Sequence, residues 1–279
     1  MSLHEDLIGA HPPAPHEFAR WMDCSDIEPT DARCHRALTS KLTANEPALV
    51  QWLAEKLVHH HYDQTRIERL KQKYTDAGFP QYAEQNRNLP RADKTKKGNA
   101  TEILLIEYIE SCQGKPLIKA FKLRYNPNVD QAIKGDDTLM VDIKVDDKGK
   151  NSLKIFLGES KFRATPVKKV IEDITESLGK DKLPLSFSFL ISELSRDSAT
   201  KPTADLLDSF LISEIKSKGD ITYTGLLLSN TQTSTVVERH LVTDNPNLIF
   251  ISAGIDNPQT LIDQAFIRAE AMIANPMTL

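Results

Sequence analysis

Two runs of alternating apolar residues, joined by a short polar segment, constrain this chain more than any other feature of its sequence. The first run extends from Thr138 to Val145 and the second from Leu153 to Lys161. Side chains of a strand alternate between its two faces, so the apolar residues at odd positions in both runs should share one face. The intervening segment, DDKGKNS, is short and contains Gly149. The pattern therefore predicts an antiparallel hairpin.

Ionisable residues collect at the open end of this hairpin. Folding about the turn places Asp137 opposite Glu159 or Lys161, on the same face. A helix is predicted before the hairpin, capped by Asn99 or Thr101 and reaching about Glu110, and its apolar stripe consists of Leu105, Ile106 and Ile109. Glu102 falls on that buried stripe and adds another carboxylate.

Carboxylates and a lysine gathered on one face are costly unless something compensates their charge. A divalent cation such as Mg²⁺ would do so, since it prefers oxygen ligands and takes one or two carboxylates together with water and substrate phosphate. A lysine beside such an ion can bind phosphate or position an attacking water. These are the parts needed for metal-assisted phosphodiester hydrolysis.

The order of these residues resembles the PD-(D/E)XK nuclease superfamily, in which Glu, then GxD, then ExK lie on a helix–strand–strand–strand–helix core. The resemblance implies that Asp137 of GDD is the metal-binding aspartate, that Glu159 and Lys161 are the ExK pair, and that Glu102 is an auxiliary ligand or orienting group. The chain departs from the pattern because no proline precedes the aspartate. Asp136 remains an alternative ligand, although strand parity favours Asp137.

Longer segments resemble HamA, the nuclease subunit family of the Hachiman anti-phage system, over about residues 40–275. The segments that carry this likeness are KGNATEILLIEYI, GDDTLMV, LGESKFR, TGLLLSN and LIFISAGID. The resemblance implies a DNA nuclease that works with a helicase partner, HamB, and is held in check by it until damaged or invading DNA is sensed.

The resulting functional hypothesis is a Mg²⁺- or Mn²⁺-dependent deoxyribonuclease. Asp137, Glu159 and the backbone carbonyl of Ser160 would bind the metal, Lys161 would orient or help deprotonate the attacking water, and Glu102 would organise a water or a second ion. Two alternatives remain open: a catalytically inactive DNA-binding or scaffolding subunit with a nuclease-like fold, and a stand-alone restriction or repair nuclease. No small-molecule cofactor is expected.

The fold class predicted is α/β, with a PD-(D/E)XK restriction-endonuclease-like core, a mixed sheet flanked by helices, and a helical N-terminal region. The domain prediction is a helical region over 1–90 and a nuclease-like domain over 91–279. The remaining predicted helices are 31–75, 165–178, 183–194, 203–216 and a final one from Pro258, and the remaining predicted strands are 117–125, 222–228 and 248–252. Both His59–His61 and the two acids Glu107 and Glu110 are expected to be solvated.

Charge is distributed unevenly along the chain. Residues 66–180 contain 23 basic and 17 acidic residues, whereas the flanking segments 1–65 and 181–279 each have a net charge of −5. A basic centre favours a polyanionic partner such as DNA. Arg163, Lys168 and Lys169 are candidates for phosphate contacts, with a solvated helix face as the equally open alternative. Three separated cysteines, no apolar run of membrane length and no secretory signal pattern predict a cytoplasmic protein that does not enter a membrane.

Overall fold

A computed structural model of the chain describes residues 2–79, 89–125, 129–131, 135–145, 151–210 and 221–274. Residues 146–150 of the predicted hairpin turn, and residues 211–216 of the predicted helix 203–216, lie outside the described residues. None of the helices in the described residues has the length and apolarity that a membrane-crossing segment requires.

The centre of the described structure is a seven-stranded mixed sheet with the strand order β1-β2-β7-β6-β5-β4-β3. Its strands are β1 (Met22–Thr30), β2 (Arg33–Ser40), β3 (Ile118–Lys119), β4 (Thr138–Val145), β5 (Asn151–Phe162), β6 (Ile221–Ser229) and β7 (Leu248–Gly254). The four inner strands β2, β7, β6 and β5 are parallel. The edges are antiparallel, since β1 pairs with β2, β4 pairs with β5, and β3 pairs with β4.

Helices cover both faces of the sheet, which makes the fold a mixed α/β architecture. The described helices are α1 (Leu3–Ile8), α2 (Glu17–Trp21), α3 (Pro47–His61), α4 (Gln64–Asp76), α5 (Asp93–Gln113), α6 (Lys168–Ser177), α7 (Phe187–Leu194), α8 (Lys201–Asp208), α9 (Thr233–His240) and α10 (Pro258–Ala274). One apolar core lies between the sheet and helices α1, α2, α3, α5 and α10. A second core lies on the opposite face, beneath α6, α7, α8 and α9. The sheet is therefore the middle of three layers.

The hairpin prediction is confirmed. Strands β4 and β5 are antiparallel, with Thr138 paired to Gly158 and Leu139 to Leu157. The apolar odd-numbered residues of both strands contribute to the same core, on the α6–α9 face. Thr138 and Gly158 are the last paired residues at this end of the hairpin. One residue further on, the same register brings Asp137 beside Glu159, which is one of the two neighbours that the alternation predicts.

The prediction of helix over residues 31–75 is wrong at its start. Residues 33–40 form strand β2, and the preceding segment, for which no element was predicted, forms strand β1. The alternation that identifies a strand is hidden because polar residues of β2 are buried and satisfied by neighbours. His35 Nε2 hydrogen-bonds with Ser252 Oγ at 2.8 Å, and the Arg36 guanidinium pairs with Asp26 across the strand pair. Helices α3 and α4 confirm the rest of the prediction.

Two smaller expectations also fail. The predicted strand over 117–125 is only two residues long, β3, and is followed by a 3₁₀ turn at Lys122–Tyr125. His60, His61 and Glu107 are buried. Glu107 Oε1 lies 2.8 Å from His60 Nε2, and Glu107 Oε2 lies 2.7 Å from Lys56 Nζ. Contacts between α5 and the neighbouring helix α3 therefore replace the expected solvation of Glu107.

The other predicted helices and strands occur close to their predicted positions, including α7 in the segment 183–194 and the buried strands β6 and β7. The domain boundary at residues 90 and 91 stays a prediction. Strands β1 and β2, from the N-terminal side of that boundary, belong to the same sheet as the later strands.

Close packing at Gly158 holds the hairpin against α5, and it gives a testable prediction. A Cβ atom at this position would lie 2.0 Å from Thr138 Oγ1 and 2.8 Å from Leu105 Cδ2. We expect Gly158→Ala to lower the free energy of unfolding by about 1–3 kcal/mol, because both neighbours are buried and cannot easily move. The matched control is Gly98→Ala in α5, where an added Cβ meets nothing within 4 Å. This change should raise stability by about 0.5–1 kcal/mol through helix propensity. Urea unfolding measures both, and equal effects would contradict the packing argument.

Candidate active site

Four ionisable side chains meet at the carboxyl end of β5, and we call them the charge cluster: Glu102, Asp137, Glu159 and Lys161. Carboxyl ends of parallel strands are the usual place for ligand sites in open α/β sheets. Asp137 precedes β4, and its Oδ2 accepts a hydrogen bond from the backbone N–H of Ser160 at 2.9 Å. This contact joins the start of β4 to the end of β5 and places the Asp137 carboxylate next to the ExK segment.

Glu159 is buried and is held at both of its oxygens. Lys161 Nζ donates a hydrogen bond to Oε1, and the Ser177 hydroxyl at the end of α6 donates to Oε2 at 3.0 Å. Ser177 Oγ in turn accepts a hydrogen bond from Lys182 Nζ at 3.2 Å. The Glu159 side chain is thus fixed in position by a strand neighbour and by the helix that follows the strand.

The surroundings of the charge cluster shift the pKa values of Asp137 and Lys161. Burial raises the pKa of Asp137, and the nearby negative charge of Glu159 raises it further. Burial lowers the pKa of Lys161, but its hydrogen bond and attraction to Glu159 outweigh that effect and leave the pKa raised. Lys161 is therefore a stable ammonium group, whereas Asp137 lacks full compensation of its charge.

Glu102, on α5, joins the cluster from the opposite layer. Its carboxylate forms a salt bridge of 2.8 Å with Lys122 Nζ in the 3₁₀ turn after β3. Burial raises the pKa of Glu102 to about 7; Lys122 opposes this shift, and the charges of Asp137 and Glu159 add to it. A carboxyl group with such a pKa can hold or release a proton near neutral pH.

The two neighbouring aspartates have different surroundings. Asp136 faces the loop before α7: its Oδ2 accepts a hydrogen bond from Ser186 N at 2.9 Å, and Lys182 Nζ lies 3.6 Å from its Oδ1. Asp137 contacts β5 and interacts with the charge of Glu159. The geometry therefore favours Asp137 over Asp136 as the partner of Glu159.

The donor set fits a hard divalent cation. Among the described residues, no group of three or more His, Cys, Asp and Glu side chains could hold a metal ion. A set of two carboxylates, Asp137 and Glu159, is nevertheless what Mg²⁺ commonly uses when water and phosphate complete its coordination. Burial and the charge of Glu159 raise the pKa of Asp137, so a bound cation would stabilise its ionised form. The Ser160 carbonyl stays a predicted ligand.

Sequence reasoning missed three residues that support the cluster, Lys122, Ser177 and Lys182, and it missed Ser186, which holds the neighbouring Asp136. Lys122 belongs to the 3₁₀ turn, Ser177 ends α6, and Lys182 and Ser186 precede α7. No local pattern links these segments to the hairpin. Only the two lysines carry a usable signal, since a cluster rich in carboxylates requires nearby cations.

The three predicted phosphate-contacting residues lie beside the cluster on the chain. Arg163 directly follows β5, and its backbone N–H donates to Leu228 O at 3.0 Å. Lys168 and Lys169 begin α6 and form exposed salt bridges one helical turn on, with Glu172 and Asp173. Such surface pairs contribute little stability, so they can be exchanged for phosphate contacts at small cost. Phosphate binding by these residues stays a prediction.

Comparison with known proteins identifies the family. The HamA family model matches residues 16–269. A curated relative, the Hachiman protein HamA of Bacillus cereus, is 36% identical over 279 residues, which cover 97% of this chain and 97% of the relative. The matched span covers the positions of the charge cluster, and the chain belongs to the HamA family.

Proposed function

We propose that this chain is a metal-dependent DNA nuclease with a PD-(D/E)XK core, and that it acts in Hachiman anti-phage defence with a helicase subunit of the HamB type. The observation that carries the nuclease proposal is the charge cluster at the end of the β4–β5 hairpin. The element order α5, β3, β4, β5, α6 supports the superfamily assignment, and family membership supports the defence role. A cytoplasmic location is part of the same proposal.

Each side chain has a defined task in the proposed hydrolysis. When bound, Mg²⁺ or Mn²⁺ supplies Lewis-acid polarisation of a phosphoryl oxygen and charge compensation at the leaving oxygen. Asp137 and Glu159 supply the oxygens that hold the cation. The Lys161 ammonium group orients the attacking water and stabilises negative charge as water adds to phosphorus and the ester P–O bond breaks. Glu102 accepts or returns a proton near neutral pH.

Mn²⁺ binding gives a test that does not depend on catalysis. We expect calorimetry to detect binding of Mn²⁺ to the full chain, and Asp137→Asn to weaken it by about tenfold or more, because one of two carboxylates is lost. Asp244→Asn is the matched control, since Asp244 is an exposed carboxylate paired with Lys180. The alternative of a catalytically inactive scaffolding subunit predicts no Asp137-dependent binding.

The activity itself is tested by incubating plasmid DNA with the full chain in Mg²⁺ or EDTA, with and without the helicase encoded nearest to its gene. Mg²⁺-dependent cleavage and co-purification with the helicase would support the proposal. Cleavage without such a partner would favour the stand-alone restriction or repair nuclease. A pair that binds DNA together without cutting it under any condition would contradict the nuclease assignment.

A further inference from the structure

A cavity of about 300 Å³ opens directly beside the charge cluster. Glu102 and Asp137 line one part of it, so any occupant lies next to the reacting phosphate of the proposed nuclease. The volume is at the lower end of the range for small-molecule sites and is too small for a packed helix from another protein. The cavity and the cluster are therefore parts of one continuous site.

Its remaining wall is mainly apolar and comes from the start of α7, from β4 and the residues before it, from Ile106 of α5 and from the segment 119–122, which contributes two lysines. Leu139, Leu185 and Phe189 line it, and the latter two side chains are 70% and 39% exposed. Large apolar side chains at the mouth of a concave site offer a surface on which a flat ring can stack.

The same cavity is lined by residues with buried polar atoms that lack hydrogen-bond partners among the described residues. These atoms are Asp136 Oδ1 and Thr138 Oγ1. The nearest cation, Lys182 Nζ, lies 3.6 Å from Asp136 Oδ1. Buried polar groups nearly always have a hydrogen-bond partner, and here the Lys182 ammonium group is the charge partner of Asp136.

We propose that this cavity binds an unstacked nucleobase next to the phosphate that is cleaved, so that the substrate is single-stranded or locally unpaired DNA. The inference rests on the proposed DNA nuclease function and names its substrate class. A nucleobase combines a flat apolar face with polar groups on its edge, which matches a cavity that has an apolar wall and polar lining residues such as Asp136 and Ser186. A base within a duplex is stacked and paired, and it cannot enter a cavity without leaving the helix.

The test measures how much DNA affinity depends on bases. The full chain in EDTA is titrated against two fluorescein-labelled 12-mers of equal charge, an ordinary single strand and a strand in which every position is abasic. We expect the ordinary strand to bind at least about tenfold more tightly, as base–aromatic stacking commonly provides. Two variants should each bring this affinity ratio towards one. Phe189→Ala removes the ring, and Ala120→Phe fills the cavity from another lining residue. Binding of a 12-bp duplex should not change.

The matched control is Ile267→Ala in α10, which removes an apolar side chain that is also exposed but lies outside the cavity. Melting curves establish that each variant is folded. A wild-type chain that binds both strands equally, or binds neither, would overturn the cavity proposal. An affinity ratio that is unchanged in both variants would also overturn it, and would favour a protein partner for this surface. Cleavage of single-stranded DNA and of plasmid in Mg²⁺ reads the nuclease function separately: cleavage without base-dependent binding removes only the cavity proposal, and base-dependent binding without cleavage of either DNA removes only the nuclease.

Discussion

Lys161→Ala is expected to slow Mg²⁺-dependent DNA cleavage by about 100-fold or more, as loss of one preorganised charge contact commonly does. The ammonium group is held by Glu159 and by the nearby charge of Asp137, so its position does not have to be organised during the reaction. Glu159→Gln should have an effect of similar size, because it removes both a proposed metal ligand and the group that positions Lys161. Initial rates of plasmid cleavage measure each loss.

The control for this experiment is Lys180→Ala. Lys180 has the same chemistry, but its exposed salt bridge with Asp244 lies on the surface. This variant should cut DNA like the parent, and melting temperatures should show that every variant is folded. If Lys161→Ala and Glu159→Gln also cut at the parental rate, the charge cluster is not the catalytic centre.

A second large effect is expected for stability and not for activity. Arg36 is completely buried in β2, and its guanidinium donates to both carboxylate oxygens of Asp26 at 2.6 and 2.9 Å and to Gly9 O at 2.9 Å. Arg36→Met leaves the Asp26 carboxylate and the Gly9 carbonyl without these donors. We expect a loss of about 1–3 kcal/mol in the free energy of unfolding, because the hydrogen bonds of the buried guanidinium are lost, whereas the Asp26 side chain is 32% exposed and can be hydrated.

The matched control is Arg20→Met, which breaks an exposed salt bridge with Glu17 in α2. Such a pair contributes about 0–1 kcal/mol, so this variant should unfold at nearly the parental urea concentration. Comparable losses in the two variants would mean that the burial of Arg36 does not decide what its contacts contribute.

The part of this site that lies on the β4–β5 hairpin can be predicted from the sequence. Strand alternation and the length of the connecting segment are local properties, and together they determine which residues of β4 and β5 are neighbours. The predicted position of Asp137 opposite Glu159 or Lys161 follows from that register alone, and the structure has Glu159 as the neighbour. Glu102 was predicted because the periodicity of α5 puts it on the buried stripe, and its interaction with the charges of Asp137 and Glu159 agrees with that placement.

The parts that escaped prediction depend on contacts between distant segments. Strand β2 looks polar in the sequence, and its buried arginine and histidine have their partners on β1, on β7 and at Gly9 after α1. Lys122 and Ser177 support the cluster from elements that precede and follow the hairpin. A pattern confined to one segment cannot reveal a partner supplied by another layer of the fold.

Glu159 and Lys161 lie two positions apart on β5, so the charge cluster is sensitive to a one-residue change in the register of this strand. Deleting or inserting one residue between Leu153 and Leu157 would turn both side chains to the opposite face together, because neighbouring residues of a strand point in opposite directions. Backbone pairing with β4 and β6 could still form, so such a protein could retain its sheet while losing the ligand and the ammonium group in a single step. Changes in chain length inside β5 should therefore be tolerated far less than changes in residue type at its other buried positions.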